Sequence, residues 1–347
     1  MAGETKHLSG LLPAELEDLT VRLGEKPYRG RQLFEQIHAR LATSLDDVSV
    51  LPAALRQHLS AQGFSAHGLT ISKIQESSDT TVKMGLSTSD GLVVESVLIP
   101  METGAFTQCM SSQAGCALGC AFCMTGMLGW TRNLTAAEIV DQHLLALAGF
   151  PERPVKNLVF MGMGEPLLNV DEVVKAIRLL QHERGRNLSP RRITVSTAGI
   201  VPGIRRLGQE VDCLLAVSLN APTQELRAEL MPVSRRYPLD ELMAALKGFP
   251  LPPRRRITFE YVLLPGVNDS PAHARDLVRL LSHIRCKVNL IPFNPFPGSR
   301  FARPSDESVD RFLELLAAKQ MVATIRRSRG SDILAACGQL AGTKDDA

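Results

Sequence analysis

Apolar residues recur at every third or fourth position through the first sixty residues of the chain. Between proline and glycine residues, this spacing predicts three amphipathic helices, at 13–23, 28–41 and 52–62. From residue 69 to residue 99 the apolar period falls to two, as in the segment LVVESVLI, which predicts two or three strands of a small antiparallel sheet. The first hundred residues are therefore expected to form a helical module followed by short strands.

Beyond residue 105, short apolar segments alternate with amphipathic ones. The apolar segments predict strands at 106–110, 157–161, 192–196, 213–219, 257–264, 287–291 and 322–325. Helices are expected to begin near Thr135, Val170, Val201, Thr223, Leu239, Ala272 and Asp306. This alternation favours an α/β fold with parallel strands and right-handed crossovers, and six or seven units fit a partial (β/α)6-type barrel. Functional side chains should collect at the carboxyl ends of its strands.

These patterns divide the chain into three parts: a helical module at 1–66, a β extension at 67–104 and a barrel at 105–347. No apolar run approaches the ~18 residues that a transmembrane helix needs, so no membrane association is predicted. The N-terminal residues MAGETKHLSGLL lack the basic start and long apolar stretch of a secretory signal. We therefore expect a cytoplasmic protein whose reduced cysteines serve metal binding or catalysis.

The net charge of +3 is unevenly distributed. Residues 1–80 contain 8 Lys and Arg against 10 Asp and Glu, which leaves 31 against 26, or +5, for the remainder. Five short basic groups occur there, at 191–192, 205–206, 235–236, 254–256 and 326–329. A single arginine pair is usually a solvated surface, whereas five groups in one domain are compatible with contacts to nucleic-acid phosphates.

The segment CMSSQAGCALGCAFC, residues 109–123, contains four of the seven cysteines. Its last three, Cys116, Cys120 and Cys123, follow the first predicted barrel strand with C-x3-C-x2-C spacing. Three thiolates from one loop suit a [4Fe-4S] cluster in which one iron has no protein ligand and is open to another molecule. The alternatives are isolated core cysteines and structural zinc. Zinc would need a fourth ligand, which Cys109 supplies by number, although its place at a strand end makes convergence awkward.

This cysteine spacing, followed by a parallel barrel, resembles the radical S-adenosylmethionine (SAM) superfamily. The resemblance implies that SAM chelates the open iron and that an electron from the cluster cleaves SAM to a 5′-deoxyadenosyl radical. It also implies that Gly164 and Glu165, after the second barrel strand, approach SAM. Ser196, Ser218 and Asn294 stand at other strand ends and are implied to hydrogen-bond SAM, although each also fits a helix cap or a turn.

A longer set of motifs resembles the RlmN/Cfr family of rRNA adenine methyltransferases, in order and in spacing along almost the whole chain. These motifs are KPYRGRQLFE, VVESVLIP, SSQAGCALGCAFC, RNLTAAEI, VFMGMGEPLLN, RRITVSTAGIVP, AVSLNAP, ITFEYVLLPGVND, NLIPFNPFPGS and RGSDILAACGQLAG. Within AVSLNAP, the resemblance adds Leu219 and Asn220 to the SAM-binding residues, with Asn220 standing where His is common. The chain resembles RlmN-type members more than Cfr-type members.

The family resemblance implies a radical route, because carbons 2 and 8 of adenine are not nucleophilic. One SAM methylates Cys337 and a second is cleaved at the cluster, so two are used per turnover. The S-methyl carbon radical adds to adenine, Glu95 takes the proton from the ring carbon, and Cys109 forms a disulfide with Cys337 that frees the methylated base. The implied substrate is carbon 2 of an adenosine in 23S rRNA, with tRNA as a further candidate. Carbon 8, or another RNA adenosine, is the alternative.

Without the resemblance, these residues have plainer interpretations. Cys337 has the character of a small buried residue, although its glycine-rich surroundings suit a mobile loop that enters the site. Glu95 would by default lie on the exposed face of its strand, whereas burial would suit it to act as a base. Cys213 and Cys286 fit core strand positions, and Trp130 fits either stacking on a base or packing in the core.

The remaining expectations concern partners. The helical module and the basic groups are expected to bind RNA, with the target adenosine unstacked to reach the barrel. An electron donor such as flavodoxin and a monomeric state are also expected. A non-catalytic iron–sulfur or zinc RNA-binding protein is the alternative of another class, but it would have no use for Cys337, Cys109 and Glu95 together.

Overall fold

Ten strands form one mixed sheet in a computed structural model that describes residues 6–251 and 254–341. In sheet order they are β1 (Leu69–Glu76), β2 (Val82–Thr88), β3 (Val93–Pro100), β4 (Phe106–Cys109), β7 (Val155–Phe160), β8 (Ile193–Thr197), β9 (Leu214–Ser218), β10 (Ile257–Leu263), β11 (Cys286–Pro292) and β12 (Ala323–Ile325). A separate ribbon pairs β5 (Gln113–Gly115) with β6 (Trp130–Asn133). Pairings from β1 to β4 are antiparallel, and all later pairings in the sheet are parallel.

At least one α-helix joins each parallel strand to the next. The helices are α1 (Pro13–Arg22), α2 (Tyr28–His38), α3 (Ala53–Ala61), α4 (Met124–Met127), α5 (Ala136–Gly149), α6 (Val170–Gln181), α7 (Val201–Glu210), α8 (Gln224–Leu230), α9 (Leu239–Lys247), α10 (Pro271–Leu281) and α11 (Asp306–Ala317). Within the described ranges, no helix combines the length and apolar character needed to cross a bilayer.

The predicted fold is confirmed. Parallel strands β4 and β7–β12 form the partial barrel, and β12 is a short seventh strand of three residues. The observed strand ends lie within one or two residues of the predicted ones. The β5–β6 ribbon and α4 were not predicted, because β6 is largely exposed and β5 and α4 each contain a glycine, so none of these short segments shows an apolar run.

Helix α5 begins at a capping box that also ties the small ribbon to the barrel. The Thr135 hydroxyl accepts a hydrogen bond from the Glu138 N–H at 3.2 Å, and the Glu138 carboxylate accepts one from the Thr135 N–H at 2.9 Å. Arg132 of β6 donates to the same carboxylate at 2.8 Å. The ribbon, which brackets the cysteine loop, is therefore fixed to the start of α5.

The N-terminal segments share one hydrophobic core with the barrel. Asp141 of α5 accepts hydrogen bonds from the backbone N–H groups of Gly68 and Leu69, at 2.6 and 3.3 Å, and its other oxygen lies 2.5 Å from His67 Nδ1. Strand β3 pairs directly with β4, so the β extension continues the barrel sheet. The domain boundaries at 66 and 104 fall in connections between elements and stay a prediction.

Candidate active site

The carboxyl ends of the parallel strands surround an open cavity of about 930 Å³. Side chains from successive strands line it, among them Phe160, Ser196, Ser218, Val262 and Ile291. A second cavity of about 650 Å³ adjoins the first, and both are lined by Cys123, Met161, Gly162, Ile291, Asn294, Arg326, Cys337 and Gly338. The two cavities therefore form one site, at the edge of the sheet where the barrel topology predicts it.

The three cysteines of the C-x3-C-x2-C motif line the larger cavity as free thiols. Burial raises the pKa of Cys116 to about 11, and it also raises the pKa values of Cys120 and Cys123. The charges of Cys123 and Cys116 add to the effect on Cys120, so the three groups interact with one another. These thiols are therefore protonated at neutral pH until a metal displaces the protons.

The donor set fits a multinuclear cluster better than a single ion. In residues 6–251 and 254–341, no group of three or more His, Cys, Asp or Glu side chains is arranged to hold one metal ion. Cys109, the possible fourth zinc ligand, lines only the second cavity. A cubane cluster instead distributes three thiolates over three irons. Two buried polar atoms around this region, Nη1 of Arg227 and Oε2 of Glu260, have no hydrogen-bond partner in the protein.

The loop after β7 carries Gly164 and Glu165 into the cavity wall. Gly164 has φ +95°, and a Cβ at this position would lie 2.5 Å from Cβ of Gln113, so only glycine fits. Glu165 accepts hydrogen bonds from the N–H groups of Leu167 and Ala198, at 3.0 and 2.6 Å. Burial raises the pKa of Glu165 to about 7 despite these bonds. Its carboxyl group organises the loop by joining the ends of β7 and β8.

The other residues expected to bind SAM differ in position. Those that line the larger cavity are Ser196, Ser218, Asn220 and Asn294. Leu219 is fully buried and its side chain is not part of the cavity wall, so a side-chain contact with SAM is not supported. Asn220 adopts φ +58°, and its Oδ1 accepts a hydrogen bond from the Val262 N–H at 2.8 Å. This amide oxygen is therefore already used to join β9 to β10.

Cys337 already lies in the wall of both cavities. The loop that carries it was expected to be mobile, but hydrogen bonds hold it against the start of α4. Met124 N–H donates to the Gly338 carbonyl at 2.8 Å, and the Thr125 hydroxyl donates to the Leu340 carbonyl at 2.6 Å. Because these donors directly follow Cys123, the same short segment positions both the cluster loop and Cys337.

Cys109 and Arg326 meet Cys337 in the second cavity. Cys109 is 5% exposed, and burial raises its pKa to about 12, an effect that the charge of Arg326 opposes. The pKa of Arg326 is raised chiefly by the charge of Cys337. The sequence placed Arg326 only within a basic group, although its position directly after the predicted strand 322–325 was a signal that it belongs to the site.

Glu95 lies on β3, two positions before Val97, which is opposite Cys109 in the sheet register. The default expectation of an exposed carboxylate is wrong, since the Glu95 side chain is only 12% exposed. One carboxylate oxygen lies 3.0 Å from Nζ of Lys83, and the other accepts a hydrogen bond from the Ala341 N–H at 2.8 Å. An ion pair and a hydrogen bond thus fix the Glu95 carboxylate beside the C-terminal segment.

The basic groups and Trp130, which were expected to contact RNA, lie in different surroundings. Of the five basic groups, only residues 326–329 line the two cavities in the described part of the chain. Arg206, by contrast, pairs with Asp171 and Glu210 at 2.8 and 2.7 Å. Trp130 is 51% exposed on β6, so the core-packing alternative is wrong and base stacking stays a prediction.

Two family models match the chain. The Radical SAM superfamily matches residues 110–278, which include the cysteine loop and four of the barrel strands. The ribosomal RNA large subunit methyltransferase N-terminal domain matches residues 6–63, which form the helical module.

Similar proteins cover nearly the whole chain. A dual-specificity RNA methyltransferase RlmN from Syntrophobacter fumaroxidans is 51% identical over 94% of this chain and 95% of its own length. A protein of the same name from Anaeromyxobacter dehalogenans is 50% identical over 97% of this chain and 92% of its own length. The crystal structure of a radical SAM methyltransferase from Sphaerobacter thermophilus has a TM-score of 0.93 at 46% identity, covering 97% of this chain and 99% of that one. This chain therefore belongs to the RlmN family of radical SAM RNA methyltransferases, with a [4Fe-4S] cluster and SAM as its cofactors.

Proposed function

We propose that this chain methylates carbon 2 of an adenosine in 23S rRNA and in tRNA, through an S-methylated Cys337. One observation carries the proposal: Cys337 lies in the wall shared by the two cavities, with the cluster cysteines in one and Cys109 in the other. Similar proteins named dual-specificity RNA methyltransferases support an RNA substrate. A protein that only binds RNA would need neither Cys337 nor a second thiol beside it.

The cofactors would be held by residues from the strand ends. Cys116, Cys120 and Cys123 would ligate three irons, and SAM would contact Gly164, Glu165, Ser196, Ser218 and Asn294. When bound, the cluster and SAM supply the radical chemistry that an unreactive ring carbon requires. Glycine at position 164 lets this loop pack against Gln113, where a Cβ would collide, while it lines the larger cavity.

Cys337 would carry the methyl group. Its sulfur would take the methyl group of one SAM and lose the thiol proton, and one C–H bond of this methyl group would break, with loss of a hydrogen atom, before the carbon bonds to adenine. Glu95, paired with Lys83, would then take the proton from the ring carbon, and the unpaired electron left on the adduct would pass back to the cluster. Cys109, whose deprotonation the charge of Arg326 assists against the opposing effect of burial, would attack the sulfur of Cys337 as a thiolate. The sulfur–sulfur bond forms as the sulfur–carbon bond breaks, and the electron pair passes to the departing carbon, which is protonated to the product methyl.

RNA and an electron donor are the proposed partners of this chain. We infer that the helical module binds RNA and that the target adenosine is unstacked into the cavities. We also infer a cytoplasmic monomer, because one chain supplies every residue of the site and all seven cysteines are free thiols. An external donor such as flavodoxin would reduce the cluster.

The experiment that tests this function is mass spectrometry of nucleosides from rRNA and tRNA of a deletion strain. 2-Methyladenosine should be absent from both RNAs and restored by the wild-type gene. C337A should fail to restore it, whereas C213A, which removes a buried thiol outside both cavities, should succeed. Loss of 8-methyladenosine would instead assign carbon 8. Unchanged RNA, or purified protein that is colourless and binds zinc, would contradict the proposal.

A further inference from the structure

Arg227 is a fully buried cation without a carboxylate partner. Its side chain is 0% exposed, and no ion pair to an Asp or Glu involves it in residues 6–251 and 254–341. Burial lowers its pKa to about 10, so the guanidinium remains protonated at neutral pH. An uncompensated buried charge is strongly destabilising, so a compensating negative charge should lie close to it in the working protein.

The guanidinium binds the strand ends that form the cavity wall. Its Nη2 donates to the carbonyls of Ala198 and Ser218, at 2.6 and 3.1 Å, and its Nε donates to the carbonyl of Leu219 at 3.1 Å. Ala198 and Ser218 line the larger cavity. The third nitrogen, Nη1, is buried and has no hydrogen-bond partner. Within the described residues, Arg227 therefore has a positive charge that no carboxylate balances and an N–H group, on Nη1, that donates no hydrogen bond.

Helix α8 brings this charge to the cysteine loop. The carbonyl of Leu230, at the end of α8, accepts a hydrogen bond from the Ala121 N–H at 3.0 Å. Ala121 directly follows Cys120, and the charge of Cys120 is the interaction that favours the protonated form of Arg227 against burial. The loop that would carry the cluster is thus the nearby source of negative charge.

We propose that Arg227 is a positioning residue that raises the reduction potential of the cluster held by Cys120 and its two neighbours. Three thiolates give the cluster a net negative charge, and reduction adds one more electron. A fixed buried cation therefore stabilises the reduced state more than the oxidised state. For a unit charge about 10 Å away at an effective dielectric constant of about 20, the ratio of reduced to oxidised cluster changes roughly tenfold. For a one-electron couple this ratio corresponds to ~59 mV.

The test is an anaerobic redox titration of the reconstituted full chain, monitored by electron paramagnetic resonance. R227Q removes the charge, R227K retains it, and R206Q is the control because Arg206 is an ion-paired arginine on α7, outside both cavities. We expect R227Q to have roughly tenfold less reduced cluster at a fixed potential. R227K and R206Q should titrate like the wild type. The proposal would be overturned if R227Q had full iron content and its cluster had the midpoint potential of the wild type.

Circular dichroism and iron content distinguish a folding defect of a variant from an effect on its cluster. If R227Q kept the wild-type spectrum but took up no iron while R227K took up the wild-type amount, the cation would be needed for the cluster, which supports the proposal; loss of iron by both variants would contradict it. Variants that lose the wild-type spectrum as metal-free protein would assign Arg227 a structural role and contradict it. The inference rests on the cluster in the proposed function, but it needs no RNA. Wild-type protein that binds no cluster would overturn the function, whereas unshifted variants of a loaded protein would overturn this inference alone.

Discussion

Cys109 is the residue whose removal tests the covalent mechanism most directly. It is buried beside Arg326 in the cavity that also contains Cys337. In C109A the methyl carbon should still bond to adenine, but nothing attacks the sulfur of Cys337 to release it. We expect RNA to remain attached to the protein, up to about one RNA per enzyme. Denaturing gel electrophoresis of a reaction with SAM, a reductant and labelled RNA would detect this adduct.

The matched control is C213A, which removes a thiol of equal burial, 5% exposed, at a site outside both cavities. C213A should turn over without an adduct. The double variant C109A/C337A should form none, because the attachment point is missing. Normal turnover by C109A without attached RNA would disprove the assigned role of Cys109.

His38 gives a residue-scale prediction about pH. It is fully buried at the end of α2 and stacks on Phe34 with ring centroids 4.2 Å apart. Burial, with a smaller effect from the charge of His67, lowers its pKa from 6.5 to about 3. Below pH 6.5 the unfolded chain therefore binds a proton that the folded chain does not, and stability falls as the pH drops towards 3. Each unit by which the pH falls in this window lowers the free energy of unfolding by about 1.4 kcal/mol.

Urea unfolding of the metal-free protein at pH 7 and pH 5 would measure this effect. Between pH 7 and pH 5, the free energy of unfolding of H38L should fall by about 2 kcal/mol less than that of the wild type. H283L, at an exposed histidine, should keep the wild-type dependence. His143, whose pKa burial also lowers to about 3, remains in both variants and cancels in the comparison. Equal pH dependence in H38L and the wild type would contradict the assignment.

Individual residues also show which parts of the candidate site can be predicted from the sequence and which cannot. The proposed cluster ligands follow from the spacing of the cysteine loop, and the proposed roles of Cys109 and Cys337 follow from the resemblance of the motifs to the RlmN/Cfr family. Arg227 does not, because its segment QELRAEL has the composition of a solvated helix, and only tertiary packing makes the side chain 0% exposed. Arg326 is an intermediate case, since the end of its strand was predicted but its neighbours Cys109 and Cys337 depend on long-range contacts.

At the scale of elements, the loop at 334–341 and the start of α4 act as one unit. The hydroxyl of Thr125 donates to the Leu340 carbonyl at 2.6 Å. T125V keeps the shape of the side chain but removes this hydrogen bond, which contributes on the order of 1 kcal/mol. We therefore expect amide hydrogen exchange within 334–341 to become roughly fivefold faster. Hydrogen exchange followed by mass spectrometry would measure it.

T70V is the matched control, since Thr70 lies exposed on β1 at the far side of the sheet. It should leave exchange in 334–341 unchanged. If T125V also exchanged at the wild-type rate, the loop would be held by its other contacts, such as the bond from Gln339 Nε2 to the Pro295 carbonyl at 2.7 Å.

The predictability of an element depends on whether its segment shows an apolar pattern. All seven parallel strands were found, including the short β4 and β12, because each lies in an apolar segment at the expected place in the alternation of strands and helices. The β5–β6 ribbon and α4 lack this signal, since β6 is largely exposed and β5 and α4 each contain a glycine. The docking of 334–341 is set by individual hydrogen bonds from α4, so the sequence indicated a small, glycine-rich loop but not where it rests.

At the scale of the whole molecule, the helical module, the β extension and the barrel pack as one body. Their apolar side chains form one continuous core, and Asp141 of α5 binds the backbone at Gly68 and Leu69. An RNA held by the module would therefore have a fixed position relative to the two cavities. This consequence depends on the tight contact between the module and α5.

Gly10 tests that contact, because a Cβ at this position would lie 2.8 Å from both Cβ and the backbone nitrogen of Ala137 in α5. The backbone of a buried helix moves little, so G10A should destabilise the protein by roughly 1–3 kcal/mol. G149A acts on the same helix, but its Cβ would meet only Cδ1 of Ile71 at an ordinary 3.6 Å, and it should change stability by less than about 0.5 kcal/mol. Denaturant unfolding would compare the two variants. If the module were loosely attached, it would shift away from α5, and G10A would match G149A. A loss confined to G10A would instead mean that the module and the barrel unfold together, as a rigid link between RNA binding and the site requires.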